Sequence, residues 1–168
     1  MTEKKYFMSS LTDADKLAIQ KNDSLIKEFY GKTTWGSGDY FKGNLLIKKS
    51  NKSLDIRKIG EWKEVTKDGK YVTGIAHYDN FGNYRDEKIY AYSDTPQVET
   101  TCINEITGNK VIQRCETVWK YYDTGTIRLE SKSLGVEGRF YKHGTWKYYS
   151  KSGELEKTEE YRMNKRVR

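Results

Sequence analysis

Residues 144–155 read Gly144-Thr145-Trp146-Lys147-Tyr148-Tyr149-Ser150-Lys151-Ser152-Gly153-Glu154-Leu155, and they give the clearest indication of the fold. A tryptophan and two tyrosines are followed by a short polar segment that ends in a glycine. Aromatic residues favour strands, and a glycine after a polar run supplies the positive φ that tight turns need. The stretch therefore predicts a β-hairpin.

The same arrangement recurs twice upstream. Trp62-Lys63 precedes Gly69, and Trp119-Lys120 precedes Gly125. One hairpin cannot bury its aromatic face alone, whereas adjacent hairpins cover each other's aromatic rows. The sequence predicts a mainly β protein, an antiparallel meander of repeated hairpins with one N-terminal amphipathic helix. Weaker copies place further turn glycines at Gly43, Gly82 and Gly108.

The composition suits a thin sheet rather than a thick core. Of the 168 residues, 35% are hydrophobic and 33% are charged, yet there are 14 Tyr, 5 Phe and 4 Trp. Disordered chains are poor in large aromatic residues, so we expect a folded chain. The sequence has no run of about 18 apolar residues, which predicts no transmembrane helix.

The N-terminal part has helical spacing. Thr12 can cap a helix with an acidic first turn, and Gly31 can end it. Apolar residues at helical spacing between them predict an amphipathic helix over residues 12–30 that covers one face or end of the sheet. Docking onto a partner or a membrane is the alternative role.

These features divide the chain into three predicted parts. Residues 1–31 form an N-terminal segment with the helix, and residues 32–161 form the hairpin repeat domain. Residues 162–168 form a basic C-terminal tail, because four of these seven residues are Lys or Arg. We expect the tail to be a solvated end.

The two cysteines, Cys102 and Cys115, are equally distant from Gly108-Asn109, a dipeptide typical of a type II′ hairpin turn. That turn places them opposite each other at a non-hydrogen-bonded position. A disulfide is feasible there and suits an oxidising compartment, and two reduced thiols packed side by side are the alternative. No metal site is expected, because two thiols and two distant histidines lack zinc-ligand spacing.

No catalytic residues are predicted. His77 and His143 are the only histidines, and neither belongs to a nucleophile motif. The sequence has no Gly-x-Ser-x-Gly, no His-Glu-x-x-His and no dinucleotide fingerprint. We therefore expect no enzymatic activity, no cofactor and no small-molecule substrate.

The pattern Gly-x-Trp-x-x-Tyr-x-x-x-Gly-x-Leu at residues 144–155 resembles the MORN-repeat variant of bacterial antitoxin-like proteins. Gly60-Glu61-Trp62 with Asp68-Gly69-Lys70-Tyr71 is similar to a second copy, and Trp119 with Tyr122, Gly125 and Ile127 to a third. The resemblance covers Gly60 to Tyr161 in patches and is lost from Tyr84 to Ile106. It implies a β-hairpin array that serves as a scaffold or binding surface.

We therefore expect a binding protein of the antitoxin or immunity type, which masks a cognate toxin. Aromatic residues and cations on a sheet face supply such an interface. Adjacent tyrosines point to opposite faces of a strand, so one of each pair faces outward. The predicted aromatic anchors are Tyr121, Tyr122, Trp146, Tyr148 and Tyr149. The predicted cations that select an acidic surface are Lys120, Lys147 and Arg139.

The net charge of +7 leaves other roles open. A basic surface attracts anionic lipid or nucleic acid, so an adaptor for either is an alternative, as is a secreted structural repeat protein. Met1 to Ser10 includes lysines but no apolar segment, which predicts no signal peptide. The cytoplasm is the expected compartment, or the periplasm or exterior if a signal peptide has been removed.

Overall fold

The computed structural model describes residues 3–32, 40–51, 53–90, 94–107, 110–136 and 139–168. The chain divides into two compact units, Met1–Asn83 and Tyr84–Arg168. Antiparallel strands dominate both units, and helices occur near the N-terminus. The predicted mainly β meander with an N-terminal helix is confirmed. None of the described helices is long and apolar enough to cross a membrane.

The described residues of the first unit form two short helices and a four-stranded meander. The helices are α1 (Glu3–Ser9) and α2 (Asp13–Asn22). Each strand pairs antiparallel with the next along the chain. The strands are β1 (Ser24–Lys32), β2 (Tyr40–Ser50), β3 (Ser53–Val65) and β4 (Val72–Tyr78).

The start of α2 confirms the predicted cap. The Asp15 N–H donates to the Thr12 hydroxyl (3.2 Å), and the Thr12 N–H donates to the Asp15 carboxylate (2.8 Å). This reciprocal pair is a capping box, which satisfies backbone donors that have no partner inside the helix. A second helix, α1, precedes the cap and was not predicted.

The C-terminal end predicted for the helix over residues 12–30 is wrong. α2 ends at Asn22, because Asp23 adopts a left-handed conformation with φ 57°. The following residues form β1, in which exposed and less exposed side chains alternate and Phe29 is buried. Gly31 therefore lies within a strand and does not end a helix.

The core of the first unit lies between its helices and its sheet. Leu45 and Ile47 of β2 are fully buried. Phe7 of α1 packs edge-on against Phe29, with ring centroids 4.8 Å apart. The Trp62 indole is 3% exposed. One face of the sheet is thus covered by the N-terminal helices, and large aromatic rings fill much of the space.

Gly43 is not the turn glycine that the repeat predicted. It lies within β2, where the pairing with β3 shifts register between Lys42 and Asn44. A β-carbon at Gly43 would collide with the Trp62 indole, whose Nε1 donates to the Asn44 carbonyl (3.1 Å). The glycine is therefore required for the close approach of the tryptophan.

The second unit is a longer antiparallel meander. Its strand order is β5-β6-β7-β8-β10-β11-β12, and β9 also pairs with β8. Lys165 and Arg166 of the predicted tail form the last strand. Residues 162–168 are all exposed to solvent. The strands are β5 (Tyr84–Ile89), β6 (Val98–Thr107), β7 (Lys110–Lys120), β8 (Ile127–Val136), β9 (Arg139–Lys142), β10 (Gly144–Tyr149), β11 (Leu155–Arg162) and β12 (Lys165–Arg166).

Glycines with positive φ occupy the turns after the three repeated tryptophan strands. The φ angles are 70° at Gly69, 70° at Gly125 and 89° at Gly153. At the last turn the Gly153 N–H donates to the Ser150 carbonyl, and the Ser150 N–H donates to the Glu154 carbonyl. This is the pattern of a tight turn followed by a glycine bulge. Gly82 also has positive φ in a turn, so four of the six predicted turn glycines are confirmed.

The register predicted for the cysteine hairpin is confirmed. Cys102 pairs with Cys115 across β6 and β7, and Thr107 pairs with Lys110 next to the turn. The predicted turn residues, Gly108-Asn109, lie outside the described residues. The cysteines form a disulfide, and each is 3% exposed.

Gly153→Ala is expected to lower the free energy of unfolding by about 1–2 kcal/mol, because a β-carbon disfavours the left-handed conformation. No atom lies within 4 Å of a β-carbon added at Gly153, so the loss reports backbone conformation alone. Urea unfolding measures it. Gly153→Asn is the control, since Asn tolerates this conformation better, and a loss as large as that of Gly153→Ala would contradict the interpretation.

Reduction of the disulfide is expected to lower the free energy of unfolding by about 3 kcal/mol, because the bond closes a short loop in the unfolded chain. The two cysteines are 13 residues apart. Guanidinium unfolding with and without dithiothreitol measures the change. The Cys102→Ser/Cys115→Ser double variant should not respond to dithiothreitol. Equal stability of the oxidised and reduced wild type would contradict the prediction.

Candidate protein-binding groove

A groove of about 500 Å³ lies in the second unit, where β6 begins and β7 turns into β8. Its aromatic residues are Trp119, Tyr121 and Tyr122. We call it the aromatic groove. Its charged residues are Lys120, Asp123, Arg128 and Lys151, and Gln97 and Val98 complete the lining.

The turn between β7 and β8 gives the aromatic groove a defined shape. The Tyr121 N–H donates to the Thr126 carbonyl, and the Gly125 N–H donates to the Tyr121 carbonyl, both at 2.8 Å. The Thr126 hydroxyl donates to the Lys151 carbonyl (3.1 Å), and the Tyr121 hydroxyl donates to the Tyr149 carbonyl (2.9 Å). Two consecutive hairpin turns are thus bonded to each other beside the groove.

The two tyrosines in this turn have different surroundings. Tyr121 is half-buried, and the Lys151 ammonium lies 5.8 Å from its ring centroid. Tyr122 is 69% exposed. Tyr122 therefore offers a large aromatic side chain to solvent on a turn whose backbone is internally bonded.

Lysines of the aromatic groove already pair with carboxylates. Lys120 contacts Glu99 and Lys151 contacts Asp123, each at 2.6 Å. The hydrogen bond from Lys151 lowers the pKa of Asp123, and the hydrogen bond from Lys120 lowers the pKa of Glu99. Both carboxylates are therefore charged near neutral pH.

Arg128 differs from these lysines. It is exposed, and its guanidinium carbon lies 6.0 Å from the Trp119 ring centroid. Within the described part of the chain it forms no ion pair. Its guanidinium can bind a carboxylate in bidentate geometry while it lies beside an aromatic ring.

Gln97 is the most buried polar residue of the aromatic groove, with 8% exposure. Its backbone N–H donates to the Ile89 carbonyl (2.7 Å), and its carbonyl accepts from the Lys120 N–H (2.8 Å). Its side-chain Nε2 donates to the Thr95 carbonyl at 3.4 Å. Its Oε1 is buried and has no hydrogen-bond partner among the described residues.

The predicted site residues do not form one surface. Lys120, Tyr121 and Tyr122 line the aromatic groove. The remaining predicted residues, Trp146, Lys147, Tyr148, Tyr149 and Arg139, do not line it. Arg139 is exposed on β9 and pairs with Val136 through the backbone.

Side chains of β10 alternate between the two faces of the sheet. The Tyr148 hydroxyl donates to Glu159 and the Tyr149 hydroxyl donates to Glu130, both at 2.8 Å. The bond to Glu130 raises the pKa of Tyr149. Lys147 lies 3.5 Å from the same Glu130. These side chains therefore join neighbouring strands, on opposite faces of the sheet.

Trp146 also has a partner in the sheet. Its Nε1 donates to the Lys132 carbonyl (2.9 Å), and its ring meets the Tyr161 ring edge-on at 5.5 Å. The Lys142 ammonium lies 4.3 Å from its ring centroid. Trp146 thus packs against β8, β9 and β11 and, like Trp62, donates its indole N–H to a backbone carbonyl of a neighbouring strand.

Glu159 is the centre of a cluster of hydrogen bonds and ion pairs. Its side chain is 6% exposed, and it accepts hydrogen bonds from the Tyr148 and Tyr161 hydroxyls. Lys157 (2.8 Å) and Arg166 (3.0 Å) form ion pairs with it. Hydrogen bonds from Lys157 and Tyr148 lower its pKa to about 2. The cluster connects β10, β11 and β12.

Sequence reasoning missed Gln97, Arg128 and Lys151 as groove residues. Gln97 follows Pro96 in a segment without repeat pattern. The predicted register that pairs Cys102 with Cys115 also places Gln97 opposite Lys120, so that register was an available signal. Arg128 follows the Gly125 turn and lies between Ile127 and Leu129, the strand partners of Lys120 and Trp119, so its place beside the repeat tryptophan was an available signal. Lys151 lies in the next hairpin turn, and only the strand pairing brings it beside Asp123.

Comparisons with family models, curated proteins and solved structures find no match to this chain. Among the residues that the structure describes, no group of three or more His, Cys, Asp or Glu is placed to hold a metal ion. The aromatic groove offers aromatic stacking, ion pairing and hydrogen bonding. These are the interactions of a binding site.

Glu159→Gln is expected to lower the melting temperature near neutral pH. The carboxyl pKa is about 2 in the folded protein against an ordinary value of 4.5. The carboxylate therefore stabilises the fold above about pH 4.5, and this contribution is lost as the pH falls towards about 2. Thermal unfolding of wild type and variant at about pH 7 and about pH 2.5 measures the difference, which should shrink at the lower pH.

The matched control is Glu156→Gln, because Glu156 is an exposed carboxylate on the same strand. It should leave the melting temperature unchanged at both pH values. If Glu159→Gln lowers the melting temperature equally at both pH values, the charge of Glu159 does not stabilise the strands that it joins.

Proposed function

We propose that this protein is a non-enzymatic binding protein that captures a partner protein in the aromatic groove. Tyr122 carries the proposal. It is a 69% exposed aromatic residue on an internally bonded turn, in one groove with the exposed Arg128. Tyr, Trp and Arg dominate the residues that contribute most binding energy in protein interfaces.

The hydrogen-bonded backbone of the aromatic groove supports this proposal. Bonds within the turn and to Lys151 and Tyr149 hold its backbone before a partner binds. Less conformational entropy is then lost on association, so a small contact area gives more affinity. Trp119 and Tyr121 add apolar surface next to Tyr122.

The charge of the groove favours an acidic partner surface. Glu99 and Asp123 pair with Lys120 and Lys151, which leaves Arg128 as the lining cation without an ion pair among the described residues. Cations at an interface steer and select acidic partners. The repeat resembles that of bacterial antitoxin-like proteins, so a cognate toxin with an acidic surface is the first partner class to test.

The experiment is a nuclease-treated pull-down from the native host with wild type and Tyr122→Ala, at low and high salt. We expect wild type to retain one partner protein in stoichiometric amount at high salt. Tyr122→Ala should recover about tenfold less of this protein, or still less. Phe81→Ala is the matched control, because Phe81 is 70% exposed and lies in a turn of the first unit. It should retain the partner fully.

Two outcomes would contradict the proposal. Equal recovery with Tyr122→Ala and wild type would show that the aromatic groove is not the interface. The second outcome comes from a parallel pull-down without nuclease. If it recovers only nucleic acid or anionic lipid, and high salt removes them, the partner is one of these polyanions and not a protein.

A further inference from the structure

We infer that Gln97 and Arg128 together make the aromatic groove specific for an extended acidic peptide segment. Arg128 binds a carboxylate of the segment, and Gln97 Oε1 accepts a hydrogen bond from one of its backbone N–H groups. This inference rests on the proposed function and adds the chemistry of the ligand to it.

The buried oxygen of Gln97 is the first observation behind this inference. Both backbone groups of Gln97 are bonded within the chain, so its position is fixed. Its Oε1 is buried without a hydrogen-bond partner in the described chain, in a side chain that lines the groove. Native proteins satisfy nearly all buried polar atoms, because an unpaired one lowers stability. A ligand that inserts an N–H donor supplies the missing bond.

The second observation is the difference between the groove cations. Lys120 and Lys151 each have a carboxylate at 2.6 Å, whereas Arg128 forms no ion pair within the described residues. A single available guanidinium suits one carboxylate, which it can bind through two parallel hydrogen bonds. A dianionic phosphate group is better matched by several unpaired cations, which this groove does not offer among its described residues.

An extended acidic segment presents both required groups. Its backbone has an N–H donor at every residue except proline, and Asp or Glu side chains supply the carboxylate. Trp119, Tyr121 and Tyr122 can cover the apolar parts of the segment. The groove volume of about 500 Å³ admits a few side chains rather than a folded domain.

The test uses the peptide acetyl-Asp-Glu-Tyr-Glu-Asp-amide, titrated into the full chain by isothermal calorimetry. We expect Gln97→Met and Arg128→Gln each to weaken binding by about tenfold or more. The neutral peptide acetyl-Asn-Gln-Tyr-Gln-Asn-amide should bind wild type about tenfold more weakly. Failure of wild type to bind the acidic peptide, or equal affinity for both peptides, would overturn the inference.

Gln113→Met is the matched control variant. Gln113 lies in the same unit, but its Nε2 donates to the Tyr84 carbonyl and to Asn104 Oδ1, both at 2.8 Å. This variant should keep wild-type affinity for the acidic peptide. It should also lower the melting temperature, because it removes hydrogen bonds that the fold uses.

Thermal unfolding without peptide gives an independent readout for Gln97. Gln97→Met should lower the melting temperature less than Gln113→Met does, because it removes an unpaired oxygen and one long hydrogen bond to Thr95 (3.4 Å), whereas Gln113→Met removes two bonds of 2.8 Å. A decrease as large as that of Gln113→Met would show that Gln97 has a structural role, and the inference would be wrong.

Failure of the inference can be distinguished from failure of the proposed function. If the captured partner depends on Tyr122 but not on Gln97 or Arg128, the aromatic groove is the interface and its assigned specificity is wrong. If competition with inorganic phosphate displaces the acidic peptide at equal concentration, the recognised anion is a phosphate and the carboxylate assignment is overturned.

Discussion

The glycine turn is the constraint on which the tryptophan hairpins depend. An L side chain at Gly69, Gly125 or Gly153 would have to adopt a positive φ that only glycine adopts freely. The bulge that follows such a turn fixes which residues face each other across the hairpin. Because side chains alternate along a strand, register decides which aromatic rings reach the same face. The Gly125 turn also carries Tyr121 and Tyr122, so the fold and the aromatic groove share this constraint.

The two units stabilise their sheets by different means. The first unit covers its sheet with helices, and even its inward Lys58 lies near aromatic rings, 4.7 Å from the Phe41 centroid and 4.9 Å from that of Trp62. In the second unit the described side chains that join strands include a disulfide and polar pairs such as Thr100 with Thr117 (3.0 Å). This use of cross-strand bonds explains how a chain with 35% hydrophobic residues forms so much sheet.

Local chemistry made much of the fold predictable. The turn glycines, the Thr12 cap and the pairing of Cys102 with Cys115 each depend on residues close in sequence. The helix end was not predictable from spacing, because Leu25 and Phe29 are four residues apart, which fits one face of a helix and one face of a strand equally. The left-handed Asp23 decides between them, and no periodicity reveals that conformation.

The groove was predictable where its residues adjoin the repeat or follow the register of the cysteine hairpin. Lys120, Tyr121 and Tyr122 follow Trp119 directly, so the repeat pattern indicated them. Gln97 reaches the groove because its carbonyl bonds to the Lys120 N–H at the start of the β6 and β7 pairing. That juxtaposition depends on the lengths and register of two strands and the turn between them. The predicted register of the cysteine hairpin places Gln97 opposite Lys120, but no pattern within that hairpin shows that Lys151 of another hairpin turn joins the same groove.

Pairing between consecutive strands has a consequence for how the chain folds. In the first unit each strand pairs with its neighbour in sequence, and in the second the pairing of β8 with β10 is the described exception, spanning the short β9. Sheets usually form slowly because distant segments must meet, whereas most paired strands here are neighbours in sequence. Each hairpin can therefore form soon after its second strand leaves the ribosome and then serve as the template for the next, before the C-terminal strands exist.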